Sequence, residues 1–350
     1  MRQNLAQGRV GVTLLKFAGP FLLASLLQAL YGAADLFVVG RFADAAAVSG
    51  VSIGSQIMQT LTGVILGLSM GGLLALLLAA CSVAEPPREQ LSVSIEPLSF
   101  LVRQITGDDF EINVLVPPAA SPETYEPTPA QMKRVANSAA YVEIGLLDFE
   151  HKLERSIREN MPGVRIVRTA DSVPVLTGEH GHGHDGHGTD PHIWTSPRNL
   201  RVMAATLLSQ LESMYPDSTR YRENYERFAN RMDSLDHALQ AIFADGPRTF
   251  VIYHPALSYM ARDYGLTQLA IEDEGKEPSG NHVRTLVDEA RNARISRILY
   301  QRQFSRSTVE ALASELKAET VAIDPLGYDI PSNLLFIAHS IAHDQTDRTQ

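Results

Sequence analysis

The chain has 350 residues, room for two domains, and carries 30 Lys/Arg against 40 Asp/Glu for a formal net charge of −10. Its one cysteine, Cys81, excludes an internal disulfide and a cysteine-rich zinc site. Residues 1 to 80 hold only four basic and two acidic residues, so the remainder is at −12, a surface that argues against nucleic acid and suits cations.

At the N-terminus, Pro20 to Gly40 and Met58 to Ala80 are apolar stretches of about the 20 residues that span a bilayer as a helix. The first is interrupted by Gln28 and Asp35, and the second has no charge. Hydrophobic membrane helices are therefore expected over residues 1–80, with Arg2, Arg9 and Lys16 on the cytoplasmic side. GPFLLASLLQALYGAADLFVVGRF, with VSIGSQIMQTLTGVILGLSMGG after it, resembles the start of the multidrug and toxic compound extrusion (MATE) transporters over about residues 10–72. Those transporters have many more spans, so this piece alone forms no transport pathway. Leu78-Ala79-Ala80-Cys81 looks like a bacterial lipobox, in which Cys81 receives a lipid and becomes the mature N-terminus. Ser82 to Glu89 then reads as a polar tether. The two readings conflict, because two inserted spans return residue 81 to the cytoplasm, whereas a lipoprotein emerges on the other side. We read the N-terminal part as a fusion, natural or artefactual, that replaces the front of a signal peptide.

Beyond residue 90, strands are expected at Leu91–Glu96, Phe110–Val116, Tyr141–Ile144 and Val164–Arg168. Helices are expected at Leu98–Ile105, Ala130–Asn137 and Phe149–Asn160. This alternation indicates parallel βαβ units. Arg198–Met214 has helical periodicity. From Ser218 to Phe243, Tyr221, Tyr225, Phe228, Met232, Leu235, Leu239 and Ile242 recur at steps of three and four. That predicts one helix of roughly 39 Å, ended by Asp245-Gly246-Pro247. Strands resume at Thr249–Tyr253, Gln268–Ile271, Ile295–Tyr300 and Thr320–Ile323, with helices at Pro255–Tyr264, Asn281–Ala293, Ser307–Leu316 and Ser332–Ala342. The expected fold class is α/β: two βα lobes with parallel sheets, linked by one long rigid helix, with a metal cleft between the lobes. The expected division is 1–80 membrane segment, 81–90 tether, 91–215 first lobe, 216–245 linking helix and 246–350 second lobe.

The chemistry centres on Gly178 to Asn199, GEHGHGHDGHGTDPHIWTSPRN. His180, His182, His184 and His187 are spaced by glycine, which suits a mobile loop that gathers metal. His192, in Asp190-Pro191-His192-Ile193-Trp194, suits a fixed ligand. Other candidate ligands fall where strands should end: Glu123 after Phe110–Val116, His254 after FVIY and Asp324 after TVAI. Ligands of open α/β sheets collect at carboxyl ends of strands, so facing lobes would bring Glu123, His192, His254 and Asp324 into one cleft. Imidazoles beside carboxylates point to a transition metal, foremost Zn²⁺, with Mn²⁺ or Fe²⁺ the alternatives.

The segments SPETYEPTP, DPHIWTSPRN, YHPALSYMARDYGL, EDEGKEPS, YQRQFS and DPLGYDIP, in that order, resemble the metal-specific substrate-binding proteins of bacterial ABC transporters, the zinc and manganese receptors. The likeness spans about residues 90–343. It implies metal held between two lobes, delivery to an ABC permease, no catalysis, and an extracytoplasmic, envelope-attached monomer. By position, His192, His254 and Asp324 match family ligands, whereas most members carry histidine where this chain has Glu123. A zinc-binding adhesin or zinc store is a rival reading. A zinc hydrolase is a weaker one, since His182-Gly183-His184-Asp185-Gly186-His187 only approaches H-x-H-x-D-H and no H-E-x-x-H occurs.

Overall fold

A computed structural model describes residues 10–42, 44–81, 88–118, 120–177, 188–272, 278–304 and 306–342. The chain divides into two compact units, Met1–Pro86 and Pro87–Gln350.

The first unit is two helices packed on each other, α1 (Val10–Phe42) and α2 (Ala45–Cys81). Among the described residues, no helix is long and apolar enough to cross a membrane. The two expected membrane spans therefore lack support as crossings. α1 carries Gln28, Asp35 and Arg41, and the first half of α2 is rich in Ser, Thr and Gln. Thr60 and Thr62 donate their hydroxyls to the carbonyls of Gln56 and Met58, at 2.9 and 2.8 Å. The leucine-rich end of α2 falls outside the residues whose side chains are described, as does the side chain of Cys81.

The second unit opens with β1 (Glu89–Val93), α3 (Glu96–Thr106) and β2 (Phe110–Val114). A loop with a 3-10 turn at Pro122–Thr124 leads to α4 (Pro129–Ala136), β3 (Ala140–Glu143), α5 (Asp148–Asn160) and β4 (Arg165–Arg168). After a second 3-10 turn, Ile193–Thr195, come α6 (Pro197–Met214) and α7 (Arg220–Phe243). Then follow β5 (Thr249–Ile252), α8 (Ser258–Tyr264), β6 (Thr267–Ala270), α9 (Gly280–Asn292), β7 (Arg297–Gln301), α10 (Arg306–Leu316), β8 (Glu319–Ile323) and α11 (Ile330–Ala342).

Two four-stranded sheets result, in the orders β2-β1-β3-β4 and β6-β5-β7-β8, and every pairing is parallel. The order is the same in both, so each sheet has its switch point at its middle pair, β1/β3 or β5/β7. One apolar cluster runs through both lobes, from Leu91 and Tyr141 through Phe228 and Leu239 to Phe250, Leu299 and Ile337, and a second, with Val251, Tyr253, Ile298 and Val309, belongs to the second lobe alone. α7 has 24 residues, or roughly 36 Å of helix. Its Tyr221, Phe228, Met232, Leu235 and Leu239 are buried, as the spacing predicts, and it packs on α3, α6 and α11.

One part of the first lobe is polar and yet buried. Glu143, at the end of β3, is 0% exposed. Glu150, in the first turn of α5, accepts the backbone N–H groups of Ile144, Gly145, Leu146 and Leu147 at 2.7–3.1 Å. Those donors suit a carboxylate at a helix N-terminus. Among the described residues, the charged group nearest the Glu143 carboxylate with opposite sign is the Arg168 guanidinium, whose Nε lies 4.0 Å from Oε1. Burial, reinforced by the charges of Glu150 and Glu154, pushes its carboxyl up to about 9. Gly145 turns here with φ +88°, which favours glycine, and a Cβ on it would lie 2.7 Å from Arg168 Nε, so the arginine side chain would have to shift.

Candidate metal centre

Glu123 sits in the 3-10 turn Pro122–Thr124. Its loop is anchored from several sides. Thr128 and Gln131 form a capping box at the start of α4. The Gln131 amide donates to the Leu115 carbonyl at 2.6 Å and accepts from Tyr125 Oη at 2.8 Å. The Tyr125 ring meets Phe149 edge-on at 5.7 Å.

His192 is fixed by the turn around it. Asp190 Oδ1 accepts both the His192 backbone N–H at 2.9 Å and Nδ1–H at 2.8 Å. Thr195 donates through N–H and Oγ1 to the His192 carbonyl at 3.1 and 2.8 Å. Ser196 caps α6 by accepting the Asn199 N–H. Trp194 packs against the His192 ring, centroids 5.2 Å apart, and donates Nε1–H to the Pro325 carbonyl at 2.9 Å.

His254 lies just beyond β5, at the switch point of the second sheet. Gln301, the last residue of β7, brackets its backbone, accepting N–H at 3.3 Å and donating to the carbonyl at 2.9 Å. Glu272, beyond β6, accepts from Nδ1 at 2.5 Å, and Phe304 stacks on the ring at 4.9 Å.

These three elements bring Glu123, His192 and His254 together, with one donor atom of each within 4.8 Å of the others. His254 Nε2 is 3.1 Å from Glu123 Oε1 and 3.4 Å from His192 Nε2, and His192 Nε2 is 3.9 Å from Glu123 Oε1. Donors about 2.0–2.2 Å from a tetrahedral zinc lie about 3.3 Å apart, so the spacing fits one small cation. The cavity they line is about 20 Å³, room for one ion or water. Both imidazoles give Nδ1–H to a carboxylate, which turns the Nε2 lone pair inward and raises its basicity.

The charges agree with a site for a cation. Burial opposes a proton on His254, but its hydrogen bonds to the Glu123 and Glu272 carboxylates and their charges raise its pKa to about 9. Burial likewise works against the Asp190 carboxylate, and the neighbouring His192 nevertheless holds it below the usual range.

Asp324 stands apart from this group. It follows β8, is exposed, and accepts the Leu326 N–H at 3.1 Å, although its neighbours Pro325 and Leu326 line the same cavity. His180, His182, His184 and His187 lie outside the described residues. Sequence reasoning missed Asp190, Glu272, Gln301 and Phe304. Asp190 was two places from a ligand, a spacing that could have exposed it. For Glu272, whose partner is eighteen residues away, only the fold gives the pairing.

A model of the family described as zinc-uptake complex component A, periplasmic (ZnuA), matches residues 92–338, well over half of the chain. The chain belongs to the ZnuA family. A crystal structure of ZnuA superposes with a TM-score of 0.69 at 34% identity, covering 73% of this chain and 99% of that one. The zinc-binding lipoprotein AdcA of Streptococcus pneumoniae is 26% identical over 75% of this chain, which spans only 55% of AdcA's length. A putative metal-binding protein of Chlamydia trachomatis is 28% identical over 73% of this chain and 91% of its own. Outside the ZnuA region, the MatE family model matches residues 20–74, in line with the fused N-terminus.

Proposed function

We propose that the chain is an extracytoplasmic zinc receptor that holds one ion between its lobes and hands it to an ABC permease in the membrane. The observation that carries this reading is the convergence of two carboxylate-backed imidazoles and Glu123 at the spacing of one tetrahedral ion. Membership of a zinc-uptake family supports a receptor over a hydrolase. Two imidazoles favour zinc; the carboxylate in place of a third imidazole makes Mn²⁺ or Fe²⁺ the second reading. Asp324 is proposed as the fourth ligand on the family resemblance, supported by Pro325 and Leu326 at the cavity wall. The histidines at 180, 182, 184 and 187 are proposed to gather zinc weakly ahead of the site.

The receptor is proposed to act as a monomer held at the envelope by Cys81 and the N-terminal unit. Apolar side chains exposed on α1, such as Phe42 at 84%, support contact with lipid.

Metal analysis of the full chain, purified without a His tag, tests the reading. One tightly bound zinc per chain is expected. His254→Ala should weaken it at least about 100-fold, or about 2.7 kcal/mol. Deleting residues 180–187 should leave the one-to-one ion in place. A stoichiometric ion indifferent to His254→Ala would place the metal elsewhere and overturn the proposal.

A further inference from the structure

The histidine-rich segment leaves and rejoins the fold through a short stem. Thr177 and Thr189 form an antiparallel bridge, and the Asp190 N–H donates to the Leu176 carbonyl at 3.0 Å. The stem is closed by a residue from the other lobe. Tyr259 Oη donates to the Asp190 carbonyl at 2.7 Å and accepts the Leu176 N–H at 3.0 Å, so one hydroxyl holds both sides. Tyr259 is 0% exposed and lies in α8, five residues after His254. Its ring lies under the Arg262 guanidinium at 5.1 Å, and Arg262 donates to the Pro174 carbonyl at 3.0 Å, just upstream of the stem. Burial pushes the Tyr259 hydroxyl up to about 12, so it remains a donor at neutral pH.

The same Asp190 that Tyr259 grips by its carbonyl orients His192 with its carboxylate. We propose that Tyr259 is a positioning residue for metal retention: it ties the stem of the histidine-rich segment to the second lobe and thereby holds Asp190, and through it His192, opposite His254. The inference rests on the receptor reading above. It makes Tyr259 the link through which displacement of the stem loosens one ligand without unfolding either lobe.

The test is zinc release into excess chelator from the full chain. Tyr259→Phe removes only the hydroxyl and keeps the buried ring. Tyr221→Phe is the control, because it loses a comparable bond, 2.9 Å to Asp109 Oδ2, on a helix that provides no ligand. Tyr259→Phe should release zinc about tenfold faster, the lower end of the effect of groups that support metal ligands. Tyr221→Phe should release it at the wild-type rate, although both variants lose similar thermal stability. If Tyr259 acts through Asp190, its effect should vanish in an Asp190→Asn background. Equal release from the two tyrosine variants, or independent effects of Tyr259→Phe and Asp190→Asn, overturns the inference and leaves the receptor reading intact. A wild-type chain that retains no zinc overturns both.

Discussion

At the scale of single residues, the proposed metal site is built on groups outside its ligand set. Asp190→Asn and Glu272→Gln keep the size of each side chain and remove its charge. Each should weaken zinc binding about 10- to 100-fold in a chelator competition, with stoichiometry unchanged. The raised pKa of His254 sets a pH dependence. Without metal, its proton is held between Glu123 and Glu272 up to about 9. That proton therefore stabilises the metal-free fold fully below the ordinary histidine value near 6.5, and the contribution is lost as pH rises through about 9. Zinc needs the same lone pair and must displace the proton. Affinity should fall about tenfold for each unit of pH below about 9, and binding at pH 7 should release about one proton. Calorimetry in buffers of different ionisation enthalpy counts that proton; a count of zero would show that His254 is already neutral. Glu123, His192 and His254, which the fold brings together, stood out in the sequence because each follows a strand or lies in a motif with an unusual residue. The positioning acids did not, since Asp and Glu abound in the sequence and only burial beside a ring sets these two apart.

At the scale of elements, periodicity was legible wherever one face is apolar. α7 is the clearest case, with its buried residues at the predicted three- and four-residue steps. Ends were less legible. β1 begins at Glu89, two residues before the alternation does, because pairing of Glu89 with Phe110 is a matter of register. Least legible was the polar knot at the end of β3, since nothing in Ala-Tyr-Val-Glu distinguishes a buried acid from an exposed one. It has a measurable consequence. Glu143 keeps its proton to about 9 in the fold, against an ordinary value of 4.5. Between those values the unfolded chain binds fewer protons, so stability falls as pH rises, by up to about 1.4 kcal/mol per unit. Glu143→Gln should remove that slope. It should be more stable than the parent in urea at pH 8 and match it near pH 4.5. An unchanged slope would mean that Glu143 is ionised against Arg168.

At the scale of the whole molecule, the parallel order of both sheets follows from the βα alternation in the sequence. The apolar cluster that the two lobes share does not, because contact between lobes has no periodic signature. Since Leu91, Phe228 and Phe250 belong to a single cluster, residues 87–350 should unfold in one cooperative step. Free zinc at 100 times its dissociation constant should stabilise that step by about 2.7 kcal/mol. Two separate melting transitions within this region, only one of them moved by zinc, would contradict a shared core. The distribution of the ligands along the chain also sets a limit on when an ion can be acquired. Glu123 and His192 leave the ribosome well before His254, and α11, which packs on α7, follows later still. A nascent chain that stops short of residue 254 carries Glu123, His192 and the histidines at 180, 182, 184 and 187, but lacks the third group of the proposed site. The proposed site is therefore complete only once residue 254 has been made and both lobes have folded around it.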